Sequence, residues 1–393
     1  MFQPTKFAGP VLRVLSSRAS HTTPYYKPEY TGRVPKGKLF AAFNKGNSIR
    51  YNHPLDEQDK YLQWLKDDLF LECVERVPEA FGYRQRAIEM LHYNVPSFFP
   101  SWSFVPELFY RIVAPAEHQT PENLRKGQIL RACVDLKFAF VAVLDDIADE
   151  SGVRLGKPSW KDACPDGMAS ALYDAMNLYN FPSYLVYKNF KGTEAYPLIY
   201  ETLHKGDFYG TMGSHLEMLS QNKKCKMSKE MAYTINSNKA ASYYSMQPVL
   251  GLAHAGVLDE KVIKQVRKIF YEFGLMFQTW DDFTDYYCTE EQTGKPASDF
   301  VNTGITWAST TTLDYLTPER RKEFDECYGS ADAEKGRRVR ELMDSVNLPG
   351  LYIEYQKNQT RLIHKFIEEV DHPKVAEACL SWLEYFTGDV LDD

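Results

Sequence analysis

Two clusters of carboxylate side chains are the residues best placed to do chemistry in this sequence of 393 residues. Their members are Asp145, Asp146, Asp149 and Glu150 in the first cluster, and Asp281, Asp282 and Asp285 in the second. In each cluster an aspartate follows the first one by four positions, so the two share one face of a helix. Like charges at this spacing repel each other. Each cluster therefore requires a bound cation, or else a solvated helix end.

A diphosphate held by magnesium is the ligand that a pair of such clusters favours. Carboxylate oxygens without His or Cys suit Mg²⁺, which typically bridges one or two carboxylates to the phosphates of a substrate. The spacing of an EF-hand is absent from the sequence, and so are the GxxxxGK[ST] loop and a strand-anchored GxGxxG. We therefore expect Mg²⁺ and a diphosphate that is not part of a nucleotide.

The elements that must position these clusters are predicted to be helices. Apolar residues recur at three- and four-residue steps from Glu57 onward and again near the C-terminus, which indicates helices with one apolar face. They are Leu62, Leu65, Leu69 and Cys73 in the first stretch, and Leu362, Ile363, Phe366, Ile367 and Val370 in the second. No alternating β run with hairpin turns appears. We predict an all-α bundle in one catalytic domain over residues 36–393, with loops at 94–100, 151–158, 189–193 and 293–296.

Composition and charge exclude several classes of protein. A hydrophobic fraction of 44% provides a large core and excludes disorder for most of the chain. The net charge of −7 argues against a nucleic-acid partner. No run reaches the ~18 apolar residues of a membrane span, so we expect no transmembrane segment. The cysteines are far apart and form no CxxC pair, which is typical of neither a disulfide framework nor a zinc site.

The N-terminus has a composition of its own. The first 28 residues contain no Asp or Glu but carry Lys6, Arg13, Arg18 and Lys27 among serines and threonines. This composition is typical of an organellar transit peptide. We predict that residues 1–35 are such a peptide, with a mitochondrial or other organellar location. A disordered tail on a cytoplasmic protein is the alternative.

The clusters and the residues around them resemble the isoprenyl diphosphate synthase family, of the farnesyl diphosphate synthase type, from about residue 57 to 310. The first aspartate-rich motif of that family is matched by Asp145-Asp-Ile-Ala-Asp149 with Arg154 following. The second is matched by Phe277-Gln-Thr-Trp-Asp281-Asp-Phe-Thr-Asp285 and continues to Lys295. Between the two motifs, Lys239-Ala-Ala-Ser-Tyr-Tyr-Ser-Met-Gln-Pro248 resembles the lysine-containing helix of the family.

The resemblance implies a fold, a cofactor and a set of site residues. The fold would be the class I isoprenoid synthase helical bundle with a central active-site cavity, assembled as a homodimer. The cofactor would be Mg²⁺, as three ions, which Mn²⁺ can replace. Asp145, Asp149 and Asp281 would be the catalytic metal ligands, supported by Asp146, Asp282 and Asp285. The residues implied to bind the diphosphate of the substrate are Arg154, Lys239, Lys295 and Gln278.

The sequence departs from the family where a second substrate, isopentenyl diphosphate, would bind. The lead-in Tyr93-Asn-Val-Pro96 is present, but Phe99 replaces the family's lysine and Trp102 its arginine. Likewise Leu155 replaces the second of two arginines, and Phe138 replaces a glutamine. An apolar pocket cannot hold a second diphosphate, because an unpaired buried charge is very costly. In this respect the chain is similar to terpene synthases derived from the family, such as those of insects.

Our leading hypothesis is therefore a terpene synthase that ionises a prenyl diphosphate and releases an olefin or an alcohol together with diphosphate. Phe99, Trp102 and Phe138 would line the cavity and stabilise a carbocation through their ring faces. Ordinary core packing is the alternative for these aromatics. In the family, bulk just before the first motif limits substrate length. Phe140 and the smaller Val141 there favour the C15 substrate, farnesyl diphosphate, and hence a sesquiterpene synthase.

Two other functions remain open from the sequence. One is a prenyltransferase, a farnesyl or geranyl diphosphate synthase in which Lys137 or Lys157 supplies the missing cations. The other is a non-catalytic partner subunit of a prenyltransferase. The intact aspartate clusters argue against the second, since a protein without turnover has no need of carboxylates that repel one another.

Overall fold

The computed structural model describes residues 58–97, 100–221, 227–288 and 301–387. The predicted N-terminal segment over residues 1–35 lies outside these ranges, as do the predicted site residues Phe99 and Lys295 and the predicted loop at 293–296. These assignments, and the domain bounds that begin at residue 36, stay predictions.

The described residues are almost entirely helical, which confirms the all-α prediction. In chain order the helices are α1 Gln58–Trp64, α2 Phe70–Val74, α3 Tyr83–Asn94, α4 Val105–Val113, α5 Pro121–Ala148, α6 Trp160–Ala163, α7 Gly167–Phe190, α8 Tyr196–Gln221, α9 Lys229–Asn236, α10 Ser242–His254, α11 Glu260–Tyr287, α12 Trp307–Tyr315, α13 Pro318–Cys327, α14 Ala333–Ser345, α15 Leu348–Glu368 and α16 Pro373–Thr387. Short 3₁₀ turns span Ala80–Gly82, Pro100–Ser103 and Ala116–His118, and π turns span Leu65–Leu69 and Ser237–Ala241. No helix of the described residues is long and apolar enough to cross a membrane.

One small hairpin interrupts the helical pattern where the sequence predicted a loop. Strands β1 (Val153–Arg154) and β2 (Lys157–Pro158) pair in antiparallel fashion. Their turn residues, Leu155 and Gly156, have positive φ angles of 52° and 72°. Strands of two residues are too short to show an alternating pattern, which is why the sequence did not reveal the hairpin. The hairpin fixes the position of Arg154.

The two longest helices, α5 and α11, have clear start signals. Thr120 accepts a hydrogen bond from the backbone N–H of Asn123, and Pro121 occupies the first turn of α5. Asp259 accepts one from the backbone N–H of Val262 at the start of α11, at 2.9 Å. Each helix has 28 residues, a length of about 42 Å. Both carry an aspartate cluster near the C-terminal end.

Helix α10 lies at the centre of the packing. It packs against α8 on one side and α11 on another, and α4 contacts both α10 and α5. Val249, Leu250 and Leu252 are fully buried. The apolar positions predicted near the two ends of the bundle are largely buried as well, at Leu65, Leu69, Cys73, Ile363 and Ile367.

The π turn Ser237–Ala241 lies between two glycines that closely approach its backbone. A Cβ atom on Gly213 of α8 would lie 2.2 Å from the backbone nitrogen of Lys239. A Cβ atom on Gly274 of α11 would lie 2.5 Å from the Cα of Ala241. Both distances are far shorter than real contacts, so only glycine allows the backbones to approach this closely. The approach sets the position of Lys239.

Replacing Gly213 tests this close approach. We expect Gly213→Ala to lower the free energy of unfolding by about 1 to 3 kcal/mol, because the added methyl meets backbone that cannot move aside. Gly127→Ala in α5 is the matched control, since its Cβ would lie 3.5 Å from Tyr110, an ordinary contact. Alanine is the better helix former by about 1 kcal/mol, so the control should be neutral or stabilising. Equal free energies of unfolding in urea for the two variants would contradict this close approach.

Candidate active site

The first aspartate cluster lies at the C-terminal end of α5 and is held by Arg154 of the hairpin. The guanidinium donates to Asp146 Oδ1 from Nη2 at 2.7 Å and from Nε at 3.2 Å. The same Nη2 is 3.6 Å from Asp145 Oδ2. Asp146 is buried, whereas Asp145 is about one quarter exposed. Asp146 thus anchors the hairpin, and Asp145 is the more accessible carboxylate.

Lys239 forms the second cationic contact of this cluster. Its ammonium donates to Asp145 Oδ1 at 3.1 Å and to the carboxylate of Glu217 on α8. One helical turn further along α8, Gln221 donates to Asp149 Oδ1 at 3.1 Å. The C-terminal end of α8 and the π turn therefore complete the surroundings of the first cluster.

The second cluster, near the end of α11, is organised around Asp282. This carboxylate is buried and accepts three hydrogen bonds, from the backbone N–H of Trp307 at 2.7 Å, from Gln278 at 3.1 Å and from Asn236 at 3.3 Å. Gln278 also donates to Asp281 at 3.2 Å. All three of these hydrogen bonds to Asp282 come from donors of the chain itself. Its partners join α9, α11 and the start of α12.

Carboxylates of both clusters act electrostatically on one cation, Arg154. Burial lowers the pKa of Arg154, but the carboxylates of Asp146, Asp145 and Asp281 together raise it above its ordinary value. Burial likewise opposes the charge of Lys239, and Asp145 and Glu217 still raise its pKa well above the usual range. A carboxylate from each cluster thus contributes to holding Arg154 charged.

Two carboxyl groups of the site are harder to ionise than usual. Burial, with the neighbouring negative charges of Asp145 and Asp149, raises the pKa of Glu217 to about 7, although Lys239 opposes the shift. Burial raises the pKa of Asp282 to about 6, against its hydrogen-bond donors. Both clusters also lie near helix C-termini, where the helix dipole disfavours negative charge. The carboxyl groups of the site thus outnumber its two cations, Lys239 and Arg154.

The donor set fits Mg²⁺, although the described residues do not form a complete set of metal ligands. Within the described ranges, no three His, Cys, Asp or Glu side chains converge on one point as metal ligands. Magnesium usually takes only one or two carboxylates and completes its shell with water and substrate phosphates. Asp145, Asp149 and Asp281 are only partly buried and are the residues that would hold it. Asp146 and Asp282 are engaged by Arg154 and by protein amides, and their role as supporting metal ligands stays a prediction.

An aromatic wall adjoins the second cluster; it consists of Trp102, Tyr244, Phe277 and Trp280. The ring of Trp102 meets that of Phe277 edge-on at 4.7 Å and that of Trp280 at 5.7 Å. Tyr244 lies 5.0 Å from Phe277. Phe138, on α5, is 6.4 Å from Tyr243, the residue before Tyr244. Trp102 and Phe138 are the two described aromatics that were predicted to line the cavity. Trp102 contacts α11, and Phe138 contacts α10.

The structure brings together most of the predicted site residues that it describes. Arg154 and Lys239 both contact the first cluster, as the motifs implied. Gln278, predicted to bind substrate, is buried and donates to Asp281 and Asp282; its substrate-binding role stays a prediction. The sequence did not reveal Glu217, Gln221 or Asn236. A signal was available on α8, where Gly206, Gly210 and Gly213 mark the face that approaches α10 and the π turn.

Removing Lys239 should destabilise the metal-free protein. In Lys239→Gln, Asp145 and Glu217 lose their cation, and we expect a loss of roughly 3 kcal/mol in the free energy of unfolding. The folded-state pKa of Glu217 is about 7 in the parent protein, above its unfolded value, so this group lowers the stability of the parent up to about pH 7 and no further. Without Lys239, which lowers that pKa, the variant continues to lose stability above pH 7. The loss should therefore be larger at pH 8 than at pH 6.

Thermal unfolding with and without Mg²⁺ measures this effect. Added Mg²⁺ should raise the Tm of Lys239→Gln by more than that of the parent protein, because the ion replaces the missing charge. Lys205→Gln, on α8 like Glu217, removes an exposed pair with Glu201 and should cost less than about 1 kcal/mol. A Lys239→Gln protein as stable as the Lys205→Gln control would show that the cluster does not need this cation.

Comparison with known proteins agrees with this geometry. The polyprenyl synthetase family model matches residues 105–346, which include both aspartate clusters. A sesquiterpene alcohol synthase of Murgantia histrionica is 37% identical over 355 residues, covering 90% of this chain and 92% of that protein. An IDS-type sesquiterpene synthase of Nezara viridula is 34% identical over 353 residues, covering 90% and 93%.

More distant relatives are farnesyl diphosphate synthases. The farnesyl pyrophosphate synthase of Murgantia histrionica is 28% identical over 281 residues, which are 71% of this chain and 69% of that one. The solved structure of T. brucei farnesyl diphosphate synthase complexed with risedronate superposes with a TM-score of 0.74 at 20% identity, covering 84% of this chain and 97% of that one. The fold is therefore that of the isoprenoid synthases. By sequence, the chain belongs to the polyprenyl synthetase family.

Proposed function

We propose that this chain is a terpene synthase that ionises farnesyl diphosphate with Mg²⁺ and releases a sesquiterpene olefin or alcohol together with diphosphate. The observation that carries the proposal is an asymmetry within the site. The residues suited to hold one metal-bound diphosphate come together, whereas the cations that a second diphosphate would need are replaced or engaged elsewhere.

The first half of this asymmetry is the pair of aspartate clusters with Arg154 and Lys239. Asp145, Asp149 and Asp281 would hold Mg²⁺, which when bound supplies a Lewis acid that neutralises a departing diphosphate. Arg154 and Lys239 lie where they can donate to diphosphate oxygens once the carboxylates are neutralised. Asp146, Gln278 and the donors to Asp282 keep these groups in position.

The second half concerns the cations that an acceptor diphosphate would require. Lys137 is fully buried, pairs with Asp207 and donates to the carbonyl of Tyr179 at 3.0 Å. Lys157 donates to the carbonyl of Tyr93 and lies 4.1 Å above that ring. Both lysines that the prenyltransferase alternative requires are thus engaged by other groups.

The space beside Tyr93-Asn-Val-Pro96, the segment that leads into the family's acceptor site, is also small. A cavity of about 10 Å³ lies among residues that include Tyr93, Asn94, Arg154 and Leu155. That is room for about one water molecule. A second diphosphate does not fit in this space as it stands.

The aromatic wall suits the chemistry that follows ionisation. Ring faces stabilise a cation by roughly 0.5 to 2 kcal/mol each and exclude bulk water. Phe140, just before the first cluster, is buried, and its ring lies 5.1 Å from that of Tyr179 on α7. This aromatic pair would close the cavity behind a chain of limited length, which supports the C15 substrate. The names of the Murgantia and Nezara relatives support the same class of reaction.

The proposal includes a homodimer formed through α7 and α8. These adjoining helices expose large apolar side chains, with four-residue spacing along each helix. They include Met168, Leu172, Tyr173 and Met176 on α7, and Phe208 and Met212 on α8. Apolar surface of this extent on a folded protein usually marks an interface.

Two parallel reactions test the proposed activity. The purified chain, with Mg²⁺, receives farnesyl diphosphate in one tube and isopentenyl plus dimethylallyl diphosphates in the other. We expect a sesquiterpene in the first and no longer diphosphate in the second. Elongation in the second tube would establish a prenyltransferase. No Mg²⁺-dependent product in either tube would favour a non-catalytic partner.

Alanine variants in the same assay test the site. Asp145→Ala and Asp281→Ala should each lower turnover on the order of 100-fold or more, because charge stabilisation at the leaving group is lost. Asp68→Ala is the control: Asp68 belongs to an adjacent aspartate pair, Asp67 and Asp68, that is exposed and far along the chain from both clusters. Near-normal turnover by either site variant would contradict the assignment.

Light scattering tests the dimer. The chain should have twice its mass of 45.4 kDa, and the double variant Leu172→Glu with Phe208→Glu should be monomeric, because two buried charges would meet across the interface. Leu258→Glu, at an exposed leucine outside α7 and α8, should stay dimeric. A parent protein of single mass would refute the dimer.

A further inference from the structure

The inner part of α10 carries a glutamine without a protein partner. Gln247 is fully buried, and among the described residues neither its Nε2 nor its Oε1 has a hydrogen-bond partner. Buried amides in folded proteins are bonded to protein, to ordered water or to a ligand, and exceptions require an explanation. Gln356 shows the usual situation, since it is equally buried and donates to the carbonyl of Met276 at 3.3 Å.

The course of α10 shows where the Gln247 amide lies. Long side chains on a helix lean back over the residues three and four positions earlier. For Gln247 these are Tyr244, which belongs to the aromatic wall, and Tyr243, whose ring faces Phe138. One turn later, Gly251 touches the backbone of α4 so closely that a Cβ would lie 2.3 Å from the carbonyl oxygen of Pro106. By this rule the amide leans toward the side of α10 that carries Tyr243 and Tyr244.

Tyr244, three positions before Gln247 on the same helix, provides a second buried polar atom. Its hydroxyl is buried and has no hydrogen-bond partner within the described part of the chain. Burial, and then the negative charge of Asp281, raise the pKa of Tyr244 well above its ordinary value. The hydroxyl therefore stays protonated and lies within electrostatic reach of the second aspartate cluster.

We propose that Gln247 and the Tyr244 hydroxyl hold one water molecule inside the hydrocarbon cavity, and that this water adds to the carbocation, so that the enzyme releases an alcohol. This inference rests on the proposed terpene synthase function and specifies its product class. A prenyl chain has no hydrogen-bonding group that could satisfy the amide. Water can, and a buried water needs two to four polar partners, which the two amide atoms and the hydroxyl supply.

The chemical step balances without any further reagent. The bond between carbon and the diphosphate oxygen breaks, and its electron pair leaves with the diphosphate. A lone pair of the water forms the new bond from oxygen to the cationic carbon. The protonated alcohol then passes its proton to the released diphosphate, the strongest base that the reaction creates. Gln247 orients the water by accepting one of its hydrogens and is itself unchanged.

Isotope labelling of the whole chain tests this inference. The reaction with farnesyl diphosphate and Mg²⁺ is run in H₂¹⁸O, diphosphate release is followed separately, and products are identified by mass spectrometry. We expect an alcohol that carries ¹⁸O. An alcohol with unlabelled oxygen would come from cleavage at phosphorus and would overturn the inference, as would olefins alone. No release of diphosphate at all would overturn the proposed function, and this inference with it.

Variants then connect the water to Gln247. The measured quantity is the ratio of alcohol to olefin, which does not depend on total turnover. Gln247→Leu should lower the ratio at least tenfold, and Gln247→Asn, which keeps an amide, should lower it less. Gln356→Leu, the matched loss of a buried amide elsewhere, should leave it unchanged. If Gln247→Leu does not fold, Tyr244→Phe gives an independent test and should lower the ratio too. An unchanged ratio in the folded Gln247 and Tyr244 variants would refute the assignment.

Discussion

Repulsion among carboxylates is the constraint on which this site depends. Asp145 and Asp149 lie at the negative end of the α5 dipole, Asp281 lies near that of α11, and Glu217 adds a further charge from α8. Lys239 and Arg154 offset part of this repulsion. Each cation comes from an irregular element, Lys239 from a π turn and Arg154 from a two-residue hairpin.

The sequence predicted the parts of the site that are local along the chain. Asp145 with Asp149, and Asp281 with Asp285, share a helix face by spacing alone, and the family motifs indicated Arg154 and Lys239. The helical fold followed from apolar periodicity, as at Leu65 and Leu69. Phe99 and Lys295 lie outside the described residues, so their predicted roles stay open to experiment.

Other parts could not be predicted, because they arise from contacts between distant segments. Asn236 reaches Asp282 across 46 positions, and Glu217 reaches Lys239 across 22. Neither belongs to a spacing pattern that would mark it. The hairpin at Arg154 is too short to show strand periodicity. Trp102 stands out in the sequence because it replaces an arginine of the family. Its partners in the aromatic wall, Phe277 and Trp280, belong to α11 and meet it only through the fold.

The π turn Ser237–Ala241 also affects how the enzyme can change over evolutionary time. A π turn takes up one residue more than an α-helical turn, which shifts the helical phase by roughly 100° between α9 and α10. Since Gly213 and Gly274 fix the turn itself, the phase of Lys239 is set locally. Substitutions further along α10 can thus change the packing around Tyr244 while Lys239 keeps its position beside the first aspartate cluster, so the two parts of the site can diverge independently.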